Sequence, residues 1–215
     1  MSTPSAEVVF GGTFDPVHEG HLTITRALVC QLGVLVRMLP AYLPGHRGAC
    51  DASPEHRLAM LELATKDMSH VVIDRFEYEI GRSVPTIEVL RYLRQARAPR
   101  TPIFFVLGED ALADLPNWVD SEHLLDLAHF LVVPRAGLSG QAGGSVARYP
   151  QLQTIEDNMM PSGGIYRLEF DAIDVSATRV RAQLSNHEPV RDLPFEVQAY
   201  ISQHKLYQGD EAGRP

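Results

Sequence analysis

Between residues 11 and 22 the sequence reads Gly11-Gly12-Thr13-Phe14-Asp15-Pro16-Val17-His18-Glu19-Gly20-His21-Leu22, a loop that runs into the start of a helix. The paired glycines let backbone N–H groups approach a ligand closely, and Pro16 stiffens the turn. His18 and His21 stand three residues apart, so at a helix start both can face one side. A helix start offers unbonded N–H groups and partial positive charge, a setting that favours phosphate. Two imidazoles there add donors for phosphate oxygens. Other chemistries fit less well. A histidine pair at this spacing can ligate a metal, yet no carboxylate or third histidine is placed to complete a zinc site. A redox dinucleotide site requires G-x-G-x-x-G, which this loop lacks. One histidine at a helix start is usually a surface residue or a cap; two with flanking glycines point to an anion.

A second stretch has the same physical form. In Val175-Ser176-Ala177-Thr178-Arg179-Val180-Arg181 the serine is a ready N-cap, and the N–H groups behind it can cradle phosphates. Taken alone this is also how an ordinary capped surface helix begins. Two phosphate-ready helix starts in one sheet say more than either alone.

The elements that must position these loops follow from periodicity. Glu7–Phe10 is a short apolar run ending at glycines, as expected of a buried first strand. Glu19–Leu32 reads as a helix, with Leu22, Ala27, Val29 and Cys30 among its apolar positions, and residues 34–39 as a second strand stopped by Pro40. Ser53 followed by Pro54 marks another helix start, with the helix continuing from Arg57 to Asp67. Val71–Ile73 is a third strand. The helix after Pro85 carries Ile87, Leu90 and Leu93 at helical spacing. Ile103–Leu107 and Phe130–Val133 are continuous apolar runs, as in central parallel strands covered on both faces, with two short helical pieces around Trp118 between them. Residues 136–164 are rich in Gly, Ser and Gln, and 138–164 in particular reads as a surface excursion. Ile165–Phe170 is a last strand, and helices follow from Ser176 to Leu184 and from Phe195 to His204. The polar tail, 208–215, is expected to fray. Strands alternating with helices predict an α/β fold, a Rossmann-like doubly wound parallel sheet in one domain with a core of about 6–207 and a small C-terminal helical part. Such sheets bind ligands at the carboxyl ends of their strands, where the first loop must lie.

Bulk properties narrow the class. The 215 residues suit one α/β domain, and 45% hydrophobic with 21% charged residues reads as soluble and globular. A formal net charge of −8 speaks against a groove for long nucleic acid, which would be basic; small anions still bind where Arg and His cluster. The two cysteines, Cys30 and Cys50, form neither a disulfide framework nor a CxxC site and suit a reducing cytoplasm. The N-terminal residues do not read as a signal peptide, and no apolar run is long enough to span a bilayer.

The string GGTFDPVHEGHL resembles the signature of the H-x-G-H nucleotidyltransferase superfamily and, more narrowly, that of bacterial nicotinate-nucleotide adenylyltransferases. Phe105-Val106-Leu107-Gly108-Glu109-Asp110 with Leu115-Pro116-Asn117-Trp118 is similar to that family's glycine–x–aspartate turn and downstream tryptophan, and Val175–Arg181 to its I-S-x-T-x-I-R motif. The likeness covers nearly the whole chain. Pro44-Gly45-His46-Arg47 stands where the family has Pro-Pro-His followed by Lys or Arg. Two departures fall on the acceptor side: Ser83-Val84-Pro85-Thr86 replaces Ser-Tyr-Thr, and Pro134-Arg135-Ala136-Gly137 replaces Arg-Pro-Gly.

This resemblance implies transfer of AMP from ATP to nicotinate mononucleotide, with release of pyrophosphate, in NAD biosynthesis. It implies an ATP site of Gly11, Gly12, Thr13, Phe14, His18, His21, Gly108, Asp110, Ser176, Thr178 and Arg181. The acceptor would meet Asp15, His46, Arg47, Thr86, Trp118 and Arg135, with Trp118 offering a flat surface to the pyridine. His18, His21, Arg47 and Arg181 would be catalytic, Arg47 orienting the acceptor and Arg181 the leaving group. Arg179 would face solvent. Arg57 is a weaker candidate, a position more often solvated. Mg²⁺ would arrive with ATP, without a protein metal cage. No nucleic acid or membrane partner is implied, and a homo-oligomer is left open. The same chemistry on nicotinamide mononucleotide or phosphopantetheine, cytidylyl transfer, and a non-catalytic nucleotide sensor are the alternatives.

Overall fold

The computed structural model describes residues 6–43, 50–134, 150–152, 160–168 and 175–208. Six parallel strands form one sheet in the order β3-β2-β1-β4-β5-β6. They are β1 Glu7–Gly12, β2 Val36–Pro40, β3 Val71–Ile73, β4 Ile103–Gly108, β5 His129–Val133 and β6 Ile165–Arg167. The helices among the described residues are α1 Glu19–Leu32, α2 Pro54–Thr65, α3 Phe76–Ile80, α4 Thr86–Gln95, α5 Glu109–Asp114, α6 Leu124–Leu127, α7 Ala177–Ser185 and α8 Phe195–His204. Strand order reverses between β1 and β4, so the chain winds outward from the centre in both directions. That reversal opens a crevice beyond the carboxyl ends of β1 and β4.

Alternation along the central strands sorts their side chains to two faces. Val8, Phe10, Phe104, Val106 and Leu131 join one apolar layer with Leu22 and Leu28 of α1, Met60 of α2, Val180 of α7 and Ile201 of α8. Val9, Phe105, Leu107 and Phe130 join the other with Ile87, Leu90 and Leu93 of α4 and Leu124 of α6. The C-terminal helices, the small helical part expected within the one domain, share the layer built by α1 and α2.

The element bounds agree closely with the periodicity, and the differences have local causes. The inward face of α1 is Gly20, Leu22, Thr25 and Leu28, while Cys30 is exposed. Apolar residues two apart cannot all share one helical face, and Thr25 goes inward because its hydroxyl bonds the His21 carbonyl at 2.9 Å. Helix α3 has five residues, too few to show a period. Around Trp118 lie α5, α6 and two 3₁₀ turns, Leu115–Asn117 and Ser121–His123, rather than two helical pieces. Most of the 138–164 stretch and the 209–215 tail fall outside the described residues. Within that stretch Gln151 bridges Ile165 of β6, and the Leu152 N–H bonds the Ile165 carbonyl at 2.9 Å.

Candidate active site

A cleft of about 750 Å³ lies at the switch point. The carboxyl end of β1 delivers Gly11 and Gly12 to it, and β4 delivers Gly108. Both glycines of the first loop sit close against aromatic rings. A Cβ at Gly11 would stand 2.9 Å from the Phe105 ring, and one at Gly12 3.0 Å from the Phe14 ring. Phe14 holds a left-handed backbone, φ 51°, and its ring is buried between Phe10 and His21. The Asp15–Pro16 peptide is cis.

The two histidines do share one side, with rings stacked at 3.7 Å between centroids, but they are not equivalent. His21 lines the cleft. Its Nδ1 accepts the His18 backbone N–H at 3.2 Å, which leaves Nε2 as the protonated nitrogen of the neutral ring and hence a donor. Burial, and then the neighbouring His18, hold the His21 pKa well below its ordinary value. His18 is buried and lies outside the lining residues. Burial pushes its pKa down to about 4, against the pull of Asp192, and its Nδ1 has no hydrogen-bond partner among the described residues. Of the two imidazoles expected at the ligand, His21 lines the cleft, while the His18 ring is covered. Gly20 makes that cover feasible: a Cβ there would meet the His18 ring at 3.0 Å and the Val175 Cβ at 3.4 Å. The same approach shows that the starts of α1 and α7 are neighbours.

At α7 the Ser176 hydroxyl accepts the Arg179 N–H at 3.2 Å, the cap its position foretold. Ser176, Ala177, Thr178 and Arg181 line the cleft. By helix geometry the N–H groups of Ala177 and Thr178 have no intrahelical acceptor. Arg181 donates from Nη1 to the Asp15 carbonyl at 2.9 Å and ion-pairs with Asp51. Arg179 turns away and pairs with Asp192 at 3.0 Å.

On the opposite wall stand Thr86 at the start of α4, Val84, Leu39 and Trp118. Trp118 is half-buried: it lines the cleft and packs on the second apolar layer as well. Asp110 is exposed and lies outside the lining, the second residue of α5 and two beyond the end of β4 that was to present it. Asp15 lines the cleft, but its carboxylate is taken up by the protein: the N–H groups of Asp51 and Ala52 donate to it at 2.9 and 3.2 Å, and the Tyr207 hydroxyl at 2.7 Å. His46, Arg47 and Arg135 fall outside the described residues.

Two further side chains hold the loops around the cleft. Arg57 is fully buried, not solvated. Its guanidinium donates to the carbonyls of Thr13 at 2.8 Å and Ala41 at 2.7 Å, and to those of Ala52 and Tyr42. Glu77 of α3 lines the cleft and accepts the Tyr42 N–H at 2.9 Å, while burial pushes its pKa up against that bond. Neither was singled out in the sequence as a loop clamp, because their partners are backbone groups that no motif records. The potential metal cluster among the described residues, Asp120 with Glu122 and His123, lies outside the cleft, with Asp120 already paired to Arg91 and His123.

An open parallel sheet with two helix starts closing on its switch point defines a nucleotide-binding α/β class, and comparison agrees. The cytidylyltransferase-like family model matches residues 9–183. A Plasmodium falciparum nicotinic acid mononucleotide adenylyltransferase solved with NaAD shares the fold at a TM-score of 0.74, with 16% identity over 94% of this chain and 97% of that one. A Stenotrophomonas maltophilia protein named "Probable nicotinate-nucleotide adenylyltransferase" is 38% identical, over 94% of this chain and 97% of its own. An Idiomarina loihiensis protein of the same name is 36% identical, over 93% and 98%. The chain belongs to the nicotinate-nucleotide adenylyltransferase family, within the cytidylyltransferase-like class.

Proposed function

We propose that this chain transfers AMP from ATP to nicotinate mononucleotide, forming nicotinate adenine dinucleotide and pyrophosphate in NAD biosynthesis. The observation that carries the reading is the convergence of His21, the Ala177–Thr178 tip and Arg181 on one cleft whose far wall holds Trp118 and Thr86. The first group suits a triphosphate, the second an aromatic mononucleotide. Gly11, Gly12, Thr13, Phe14 and Gly108 form the floor on which ATP lies, with Asp110 near its adenosine end. A phosphate oxygen of the acceptor attacks the α-phosphorus of ATP, the bond from that phosphorus to the bridging oxygen breaks, and pyrophosphate leaves with the electron pair. No protein nucleophile is required, because a phosphate monoester is already an anion near neutral pH. Alignment and charge neutralisation do the catalysis.

His21 donates from Nε2 to the phosphates, and Arg181 exchanges Asp51 for the leaving pyrophosphate. His18 acts through His21, which it stacks on and holds by its N–H. Asp15 acts through the loops it ties. His46 and Arg47, between described residues 43 and 50, are assigned the acceptor phosphate on sequence resemblance alone, and Arg135 the acceptor side on the same ground. Mg²⁺ enters with ATP: the described cleft carboxylates Asp15 and Glu77 accept backbone N–H groups, so the donor set fits a metal-bearing triphosphate rather than a protein cage. Two helix layers on one sheet support reading 6–207 as one domain. Two free cysteines suit the cytoplasm, and among the described residues no helix is long and apolar enough to cross a membrane.

The test is to incubate the protein with ATP, Mg²⁺ and one acceptor at a time, follow pyrophosphate and identify the product. Rapid release with nicotinate mononucleotide, and at least about 10-fold less with the nicotinamide form or phosphopantetheine, is expected. Preference for another acceptor reassigns the substrate. Tight ATP binding with no release for any acceptor leaves a sensor.

A further inference from the structure

We propose that Tyr207, at the far end of the described chain, is a positioning residue that sets the geometry of the first loop through Asp15. The inference rests on the adenylyl-transfer reading above. After α8 the backbone passes through the left-handed region at Lys205, φ 52°, and again at Tyr207, φ 60°, conformations uncommon for residues other than glycine. These turns carry the Tyr207 ring inward, where it is buried in the layer shared by α1, α2 and α8. Its hydroxyl donates to Asp15 Oδ1 at 2.7 Å, and burial, reinforced by that carboxylate, raises the phenol's pKa. The tyrosine therefore stays a neutral donor at working pH.

Asp15 is where three segments meet. Its carboxylate takes the N–H groups of Asp51 and Ala52, and its carbonyl takes Arg181 Nη1. The Asp15 carboxylate thus fixes the chain entering α2 as well as the first loop, and Asp51 in turn ion-pairs with Arg181. Without the Tyr207 hydroxyl, Oδ1 keeps only the 3.2 Å bond from Ala52. The carboxylate is then held by the Asp51 and Ala52 N–H groups alone and can tilt on them, which shifts the loop that carries both anchors of Arg181. A displacement of about 1 Å at a catalytic group costs on the order of 100-fold, so a smaller shift transmitted through Asp15 is visible in kinetics. The geometry makes the C-terminal turn part of the machinery for the triphosphate, although it contributes no atom to the cleft lining.

The experiment compares full-length wild type, Tyr207→Phe, Asp15→Asn and the double variant. Tyr207→Phe keeps the ring in its layer and lowers the melting temperature by roughly 5 °C. It lowers kcat about 10-fold and raises KM for ATP several-fold. In the Asp15→Asn background the same change alters neither constant by more than about twofold, because the tyrosine acts through that carboxylate. Wild-type KM values for both substrates in Tyr207→Phe, or effects that multiply in the double variant, overturn the proposal. So does a fall in kcat at unchanged KM, which marks only a loss of folded protein. Should wild type release no pyrophosphate with any acceptor, the adenylyl-transfer reading fails. The positioning claim is then decided by calorimetric ATP affinity, lowered by Tyr207→Phe in wild type and not further lowered in Asp15→Asn, or else overturned.

Discussion

The starts of α1 and α7 carry similar sequence signals, lie side by side, and are finished in opposite ways. At α1 the protein uses its own donors. The Glu19 N–H bonds the Asp192 carbonyl at 2.9 Å, the His18 N–H bonds His21 Nδ1, and the His18 ring is covered. What α1 offers the cleft is a side chain, His21. At α7 the serine caps one N–H, and the tip residues Ala177 and Thr178 open to the cleft with Arg181 about one turn further in. What α7 offers is main chain and a guanidinium. A phosphate-ready motif is therefore not one device. One tip is rigidified inward to aim a single imidazole, and the other is left open to receive oxygens.

The contrast can be broken most sharply at His21. If α1 acts through that one ring, His21→Ala loses roughly 100- to 1,000-fold in kcat with an unchanged circular dichroism spectrum; turnover within threefold of wild type would remove the imidazole from the reaction. Gly20→Ala probes the inward packing. Its methyl meets the His18 ring at 3.0 Å, so despite alanine's better helix propensity the variant is expected to lose about 1–3 kcal/mol in urea unfolding, and turnover with it.

Acidification probes the covered ring. His18 titrates at about 4 when folded and near 6.5 when unfolded, so the unfolded chain binds the extra proton in between. Stability is thus lost as pH falls from about 6.5 towards 4, by on the order of 3 kcal/mol at full effect, and is insensitive to this group above about 7. The loss between pH 7.5 and 5 should be smaller in His18→Asn; equal losses would mean that His18 is not the acid-sensitive group. The smallest effect belongs to α7. Ser176→Ala costs about 1 kcal/mol of stability and, since its hydroxyl is taken up by the Arg179 N–H, less than tenfold in kcat.

The sequence exposed those parts of the molecule that are local. The bounds of α1 and α8 and the three residues of β3 follow from periodicity alone, and the Ser53 and Ser176 caps from residue type. Gly11, Gly12, His21, Thr178 and Arg181 meet in the cleft because a doubly wound sheet brings first and last loops to one edge. What stayed hidden is non-local or backbone-borne. Nothing in the string near residue 207 indicates a bond to Asp15, 192 positions away. Arg57 reads as a surface helix residue until the carbonyls it binds are seen. His18 and His21 look alike in the motif, and only packing, with Gly20 yielding space, tells the covered ring from the presented one.

The central claim is that both helix tips hold one triphosphate. A crystal structure of the protein with a non-hydrolysable ATP analogue and Mg²⁺ tests it directly. The account predicts phosphate oxygens within about 3 Å of His21 Nε2 and of the Ala177 or Thr178 N–H in the same nucleotide, with Arg181 released from Asp51. A nucleotide whose phosphates touch only one tip, or lie outside the β1–β4 crevice, would contradict it.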